Sequence, residues 1–303
     1  ILELVYCFLP DGGSASISRY ADTTPEPEHR LAVTTLPGRP MARRTKIVCT
    51  IGPETSSPDR LGELVEAGMN VARVNLSHGS HDDHRQVIDD LRSRIDRHGS
   101  PIGILADLSG PKIRLGEISG GPIRLQQGDT VALTAEPVLG SRDRMPVNYE
   151  FLADDVRVGD SIMMNDGAVA AEVVDICDRD VVCQVLHSGE VSTHKGVNFP
   201  DTPLRVPSLT EKDRLDLAMV LEADVDFVAM SFVRSADDMR VLRGLVKEFG
   251  STAKIIAKIE KREALENFDE ILDVSDGIMV ARGDLGVETD LARVPIVQKD
   301  LIA

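Results

Sequence analysis

From residue 43 onward, short apolar runs of strand length alternate with longer stretches of helical period. That rhythm restricts the chain to an α/β architecture built on a parallel sheet. Thr45 to Ile51 is predicted as the first strand, and Ser57-Pro58 then offers a cap and a first-turn proline to a helix stopping near Gly68. Val71 to Leu76 is the second strand; it leads through Ser80 into a helix carrying Val87, Leu91 and Ile95 on one face before Gly99. Ile102 to Leu108 is the third. After Asp107-Leu108-Ser109-Gly110-Pro111 the rhythm breaks. Residues from about 115 to 204 show short alternating apolar segments separated by Gly, Asp and Pro, the pattern of a small β domain inserted between parallel units.

Helical period returns at Thr210, where Asp213 completes a capping-box spacing, and Ser235 with Asp238 repeats that spacing. Phe227 to Ser231, Lys254 to Ile259 and Gly277 to Val280 are the remaining strands, the last two separated by one helix over roughly 261 to 273. Six parallel strands result. A closed (β/α)8 barrel needs eight, so period alone leaves two architectures, an open sheet and part of a barrel. The domain reading is a leader over residues 1–40, a first α/β part over 41–114, the inserted β domain over 115–204, and a second α/β part over 205–303. The leader mixes Gly, Ser, Pro and short apolar fragments, which suits a sequence-boundary artefact or a disordered tail better than a targeting segment.

Composition sets limits on partners and compartment. With 42% apolar residues in 303, the chain can bury a large core. A formal charge of -16 disfavours nucleic acid, whose phosphates would be repelled, so any anion must be met by convergent cations at a local site. Cys7, Cys49, Cys177 and Cys183 have neither the density of a secreted scaffold nor the paired spacing of a zinc site, and read as small core residues in a reducing, cytoplasmic compartment. No apolar run has the length of a membrane span.

Polar residues gather at the C-terminal ends of the predicted strands, where α/β proteins place their sites. They are Arg73, Asn75, Ser77 and His78; Asp107; Ser231 and Arg234; Lys258 and Glu260; and Arg282, Gly283 and Asp284. Lys258 and Glu260 share one side of their strand with Ile259 opposed, which fits a polar pocket or a structural ion pair. Glu260 and Asp284 offer hard oxygens suited to Mg²⁺. Arg73 has the donor fork for phosphate, and Lys258 a compact charge for a transferred group; Arg73 alone equally suits a salt bridge, and His78 a loop hydrogen bond. Gly283 either admits an anion to the backbone or turns a loop. A nucleotide would have to be held without a Gly-Lys-Ser/Thr loop, since none is present. These residues describe a metal-dependent α/β enzyme acting on a small phosphorylated or carboxylated substrate.

Seven strings then carry a resemblance. RRTKIVCTIGP (43–53), GMNVARVNLSHG (68–79), DLSGPKIR (107–114), HKGVNFP (194–200), DFVAMSFVRSADD (226–238), IIAKIE (255–260) and SDGIMVARGDLGVE (275–288) resemble, in order and spacing, the pyruvate kinase family. The resemblance implies a partial (β/α)8 TIM barrel with an inserted β-barrel-like lid, and transfer of the phosphoryl group of phosphoenolpyruvate to ADP, giving pyruvate and ATP in glycolysis. By resemblance Arg73 binds phosphate and Lys258 assists transfer. Gly283 and Asp284 cradle the substrate, and Glu260 and Asp284 hold Mg²⁺ or Mn²⁺. Asn75, Ser77, Asp107 and the Leu108 carbonyl form a K⁺ pocket, while Asn75, His78, Arg114 and Lys195 meet the nucleotide. Lys112 stands where potassium-dependent members carry Glu, so its ammonium suggests K⁺-independent activity; Leu108 replaces a usual Thr, which leaves K⁺ dependence open. The chain ends in the helical region after strand six, before the family's threonine loop, strands seven and eight and the C-terminal domain. An unstable or poorly active fragment is therefore expected, from a whole protein that the resemblance makes a homotetramer. Two other readings are a metal-dependent barrel lyase or aldolase acting on an oxoacid, and a noncatalytic regulatory fragment.

Overall fold

The computed structural model describes residues 45–96 and 99–303, so the leader expected over 1–40 lies outside the described residues. The first α/β part contains β1 (Val48–Ile51), α1 (Pro58–Ala67), β2 (Val71–Asn75), α2 (His81–Arg92) and β3 (Gly103–Leu108). Then come β4 (Ile123–Leu125), β5 (Thr130–Thr134), β6 (Arg144–Pro146), α3 (Leu152–Asp155), β7 (Ser161–Met164), β8 (Val169–Cys177), β9 (Asp180–His187), β10 (Gly189–Val191) and β11 (Val197–Asn198). The α/β rhythm resumes with α4 (Glu211–Glu222), β12 (Phe227–Met230), α5 (Ala236–Glu248), β13 (Lys254–Ile259), α6 (Arg262–Glu266), α7 (Phe268–Val274), β14 (Gly277–Val280), α8 (Arg282–Glu288), a 3₁₀ turn over Leu291–Arg293 and α9 (Val294–Ile302).

Six strands form one parallel sheet in the order β1-β2-β3-β12-β13-β14, the wall of a partial (β/α)8 barrel. The alternation of strand side chains divides its two faces. Val74, Ile104, Ala106, Val228, Met230, Ile255, Ala257, Ile259, Ile278 and Val280 point outward into one large core with the helices. Leu105, Ala229, Ile256 and Met279 pack on the inner face as a small apolar floor. One register step further along the strands, that inner face turns polar. The break in rhythm is a separate β region, termed the lid: a six-stranded sheet ordered β11-β7-β8-β9-β5-β6 and the β4–β10 ribbon enclose a second core around Leu133, Tyr149, Val173 and Phe199.

The helix signals act as read. Ser57 caps α1, Pro58 occupies its first turn, and Gly68 ends it at φ 108. Thr210 and Asp213 form a capping box on α4, and Asp238 accepts the Ser235 N–H ahead of α5. Three readings are corrected. Ile95 lies beyond α2 and is 61% exposed, because the helix ends at Arg92 and its buried face is Ile88 and Leu91. The helix expected over 261–273 is two, divided at Asn267, whose side chain leaves the helical path to donate to the Arg234 carbonyl. Of the cysteines, Cys49 and Cys183 are buried, but Cys177 is exposed at the end of β8, and Cys7 lies outside the described residues.

Candidate active site

The polar end of the sheet's inner face gathers side chains from β1, β2, β3 and β13 and from the turn after β12. Arg73 of β2 donates from Nε to Asp107 Oδ2 at 2.7 Å, and from Nη1 to Thr50 Oγ1 at 2.9 Å. Asp107 of β3 faces Lys258 of β13, with Oδ1 3.2 Å from Nζ. Lys258 Nζ also lies 2.8 Å from Glu260 Oε1 and donates to Ser231 Oγ at 2.7 Å. The Ser231 hydroxyl in turn donates to the Leu108 carbonyl at 2.6 Å. All four charged residues are buried, and two cations against two carboxylates leave the cluster formally neutral.

That balance decides the state of Lys258. Burial disfavours its charge, but the carboxylates of Asp107 and Glu260 outweigh burial and hold the ammonium well above the usual lysine range. Lys258 is thus a fixed positive charge at neutral pH, not a proton acceptor. Glu260 is fixed from its other side by an unusual backbone. Phe232 sits in the left-handed region at φ 56, which side chains rarely adopt, and its N–H donates to Glu260 Oε2 at 2.8 Å. Gly110 permits this packing: at φ 66, a Cβ there would fall 2.7 Å from Phe232 Cδ2.

The other sequence candidates surround this cluster at differing removes. Asn75 is the register partner of Asp107, and its Oδ1 accepts the Ser77 N–H at 3.1 Å. Asp107 and Leu108 are the last two residues of β3, within the strand read from the sequence. Gly283 and Asp284 lie in the first turn of α8, so Gly283 does not turn a loop; a Cβ there would meet nothing within 4 Å, which leaves its backbone open to approach. Ile259 pairs with Val280, which puts Glu260 beside Ala281 and three residues from Asp284. Arg114 and Lys195 are on the lid's connecting strands, where Arg114 Nη1 donates to the His194 carbonyl at 3.0 Å. His78, like Lys195, is exposed. Lys112 has no ion pair among the described residues, and its Cε lies near Gly196 at the lid base.

Residues that reading by strand ends missed include Thr50, Phe232 and the start of α4. Lys212 Nζ donates to the Leu76 carbonyl at 2.7 Å, and Asp213 Oδ1 accepts the Gly110 N–H at 3.1 Å, so α4 clamps the loops after β2 and β3. Its only signal in sequence was the Thr210–Asp213 cap, which marks a helix start and says nothing of what lies beside it.

Among the described residues no three or more His, Cys, Asp or Glu side chains converge as a metal centre. Glu260 and Asp284 nevertheless fit a hard divalent ion, which typically takes one or two carboxylates and completes its shell from water and substrate oxygens. An open (β/α) barrel wall with a β lid, and a buried cluster of paired charges at the strand ends, defines a class, the α/β-barrel enzymes, whose sites sit at the barrel mouth. Residues 42–303 match the family described as pyruvate kinase, barrel domain. The pyruvate kinase of Corynebacterium efficiens is 47% identical over 262 residues, covering 86% of this chain and 55% of that protein. That of Mycobacterium tuberculosis is 46% identical over 262 residues, covering 86% and 56%. The crystal structure of a pyruvate kinase from Cryptosporidium parvum superposes with a TM-score of 0.79 at 37% identity, covering 84% of this chain and 54% of that one. The chain belongs to the pyruvate kinase family and spans about half the length of the relatives it matches. Among the described residues no helix is long and apolar enough to cross a membrane.

Proposed function

We propose that the protein of which this chain is part transfers the phosphoryl group of phosphoenolpyruvate to ADP, yielding pyruvate and ATP, as a cytoplasmic enzyme of glycolysis. The observation that carries this reading is the ammonium of Lys258, buried and held charged between Asp107 and Glu260 beside the guanidinium of Arg73. Phosphoryl transfer demands fixed positive charge where phosphate oxygens and the leaving oxygen gain negative charge. In the reaction the bond from phosphorus to the enol oxygen breaks as a bond to a β-phosphate oxygen of ADP forms. Arg73 orients the phosphoryl group through its donor fork. Lys258 stabilises charge on the enol oxygen as it leaves, and a proton added at the methylene carbon completes pyruvate. The exposed backbone of Gly283 receives an oxygen of the substrate.

Glu260 and Asp284 are the residues that would hold Mg²⁺ or Mn²⁺, which when bound supplies Lewis-acid neutralisation of substrate oxygens. Asn75, Ser77, Asp107 and the Leu108 carbonyl would serve a monovalent cation, with the Lys112 ammonium as a substitute for K⁺. Asn75, His78, Arg114 and Lys195 would meet the nucleotide, Arg114 from the segment leading into the lid and Lys195 from the lid.

The test is pyruvate release from phosphoenolpyruvate by the purified whole protein of which this chain is part, with Mg²⁺ present, ADP and K⁺ each present and omitted, and circular dichroism alongside. The expected result is turnover that requires ADP and persists without K⁺. Pyruvate release without ADP from a folded chain would replace phosphotransfer with a lyase reaction.

A further inference from the structure

A second set of buried charges lies between barrel and lid, outside the cluster of Lys258. Lys261 directly follows Glu260, and Glu288 lies four residues beyond Asp284 on the same face of α8. Both are buried, Glu288 at 1% exposure and Lys261 at 7%. Lys261 Nζ lies 2.7 Å from Glu288 Oε2, at ion-pair distance without hydrogen-bond alignment. The other carboxylate oxygen, Oε1, accepts from Asn198 Nδ2 at 3.0 Å. Asn198 belongs to the lid: it sits in β11, paired with Met163 of β7 on one edge of the lid sheet. One buried carboxylate therefore joins the barrel's β13 loop, the end of α8 and a strand of the lid.

Burying such a group is costly unless every charge is matched, and a merely apolar contact would have served packing better. The group has a mechanical position instead. The lid connects to the barrel through two extended segments, 112–115 and 195–198, bonded by Leu115 N–H to the Lys195 carbonyl at 2.8 Å and Val197 N–H to the Ile113 carbonyl at 2.9 Å. Residues of these segments and Glu288 border a cleft of ≈ 40 Å³ between lid and barrel, lined also by Phe199 and Phe232. Two further contacts tie the returning chain to the barrel. Arg262 to Asp201 is a half-exposed pair at 2.9 Å, of a kind that contributes little, and Arg234 grips the carbonyls of Leu204 and Val206, which pack against the lid core.

We propose that Glu288, held by Lys261, is a positioning residue that latches the lid to the barrel through Asn198 and so sets where the lid's nucleotide-facing residues stand over the mouth. Glu260 and Lys261 are consecutive, and Asp284 and Glu288 share α8, so the latch and the carboxylates of the mouth ride on the same two elements. The latch itself is read from contacts; its consequence for ADP rests on the phosphotransfer reading, and the test separates the two.

The test moves one charge. Asn198→Asp sets a carboxylate against Glu288, whereas Asn198→Asp with Glu288→Gln reverses the donor and acceptor and leaves one carboxylate and one amide across the contact. Amide hydrogen exchange at Leu115 and Val197 of the full chain is the readout, with Val131 in the lid core as reference. Asn198→Asp is expected to speed hinge exchange at least about tenfold, and the double variant to return it to within about threefold of wild type. Wild-type exchange in the single variant, or no recovery in the double, overturns the latch. Should Asn198→Asp fail to fold, Asn198→Ala leaves the Lys261–Glu288 pair intact and is expected to speed the same amides; unchanged exchange there overturns it equally. In turnover, the single variant is expected to raise KM for ADP about tenfold with KM for phosphoenolpyruvate within about threefold. A wild-type chain that folds but never uses ADP would remove the phosphotransfer reading while the exchange result still decides the latch.

Discussion

Asp107→Asn is the sharpest probe of the charge cluster, because it removes a charge and leaves shape nearly unchanged. Asp107 is 1% exposed and touches both Arg73 and Lys258, each 7% exposed. The substitution turns a neutral group of two cations and two carboxylates into one with an excess positive charge. Deleting one partner of a buried pair costs about 3–5 kcal/mol, and asparagine keeps an acceptor for Arg73, so the low end, about 3 kcal/mol, is expected. For a domain of this size that is a fall of about 6–12 °C in Tm. The chain has no tryptophan, but its helices serve as the probe: the lid holds only the four-residue α3, so ellipticity at 222 nm reports the barrel. Tyr149 is the one tyrosine among the described residues and packs in the lid core, so its near-ultraviolet signal should melt unshifted. Lys258→Met alone leaves two buried carboxylates against the single cation of Arg73, and combining the two substitutions should cost about 2 kcal/mol less than their sum. A Tm change under about 2 °C for Asp107→Asn, or strict additivity in the cycle, would refute the claim that these charges act as one buried unit.

Three further outcomes follow from the geometry. Gly110→Ala must fit a Cβ 2.7 Å from Phe232 Cδ2 and 3.1 Å from Ser231 Cβ at φ 66, and is expected to cost about 1–3 kcal/mol in chemical denaturation. Gly283→Ala meets no atom within 4 Å and no unfavourable φ, so stability should stay within about 0.5 kcal/mol while KM for phosphoenolpyruvate rises; unchanged KM would remove Gly283 from the substrate cradle. Asp276 ties β13 to β14: burial would raise its pKa, but the Ile255 N–H at 2.8 Å and Arg243 at 2.7 Å outweigh burial and lower it. Its contribution is therefore full above the ordinary carboxylate range, near about 3.9, and is lost as pH falls through the lower folded value. Asp276→Asn should cost about 1.5–3 kcal/mol at neutral pH, a gap that narrows on acidification in urea titrations; a gap that widens would refute the assignment.

The strands were legible because each is a buried apolar run with turn signals at both ends, and the bounds of β13 and β14 coincide with those read from the pattern. Helix starts were legible where a side chain caps them, as at Ser57 and Thr210. The end of α2 was not, since Ile95 continues an apolar spacing that the chain satisfies only by leaving the helix at Arg92. The break at Asn267 is set by a carbonyl on another element, Arg234, and no local pattern encodes it. The cluster around Lys258 was legible as residues at strand ends, but its wiring through Ser231, Thr50 and the left-handed Phe232 was not. Those contacts depend on which strands become neighbours. Lys261 and Glu288 were passed over for the same reason: each reads as an ordinary helix-end charge until α8 and β11 are brought together.

For Lys258 and Glu260 the structure shows the ion pair, buried at the strand ends. An ammonium cannot remain charged in so buried a place without carboxylates beside it, and the same carboxylates cancel the positive charge that a phosphate would need. With the cluster neutral, and Asp284 adding a further carboxylate at the mouth, a phosphate dianion would leave the site strongly negative unless a cation came with it. The protein's own cations therefore suffice to orient a phosphoryl group but not to balance it. This is the electrostatic reason to expect phosphoenolpyruvate and Mg²⁺ to bind with mutual reinforcement in the proposed reaction. Titration calorimetry of the full chain should show each tightening the other by the same factor, and Glu260→Gln, which leaves the excess charge with Lys258, should weaken the metal while improving metal-free binding of the anion. Metal-free binding left unchanged by Glu260→Gln would mean that Glu260 does not set the charge balance of the site.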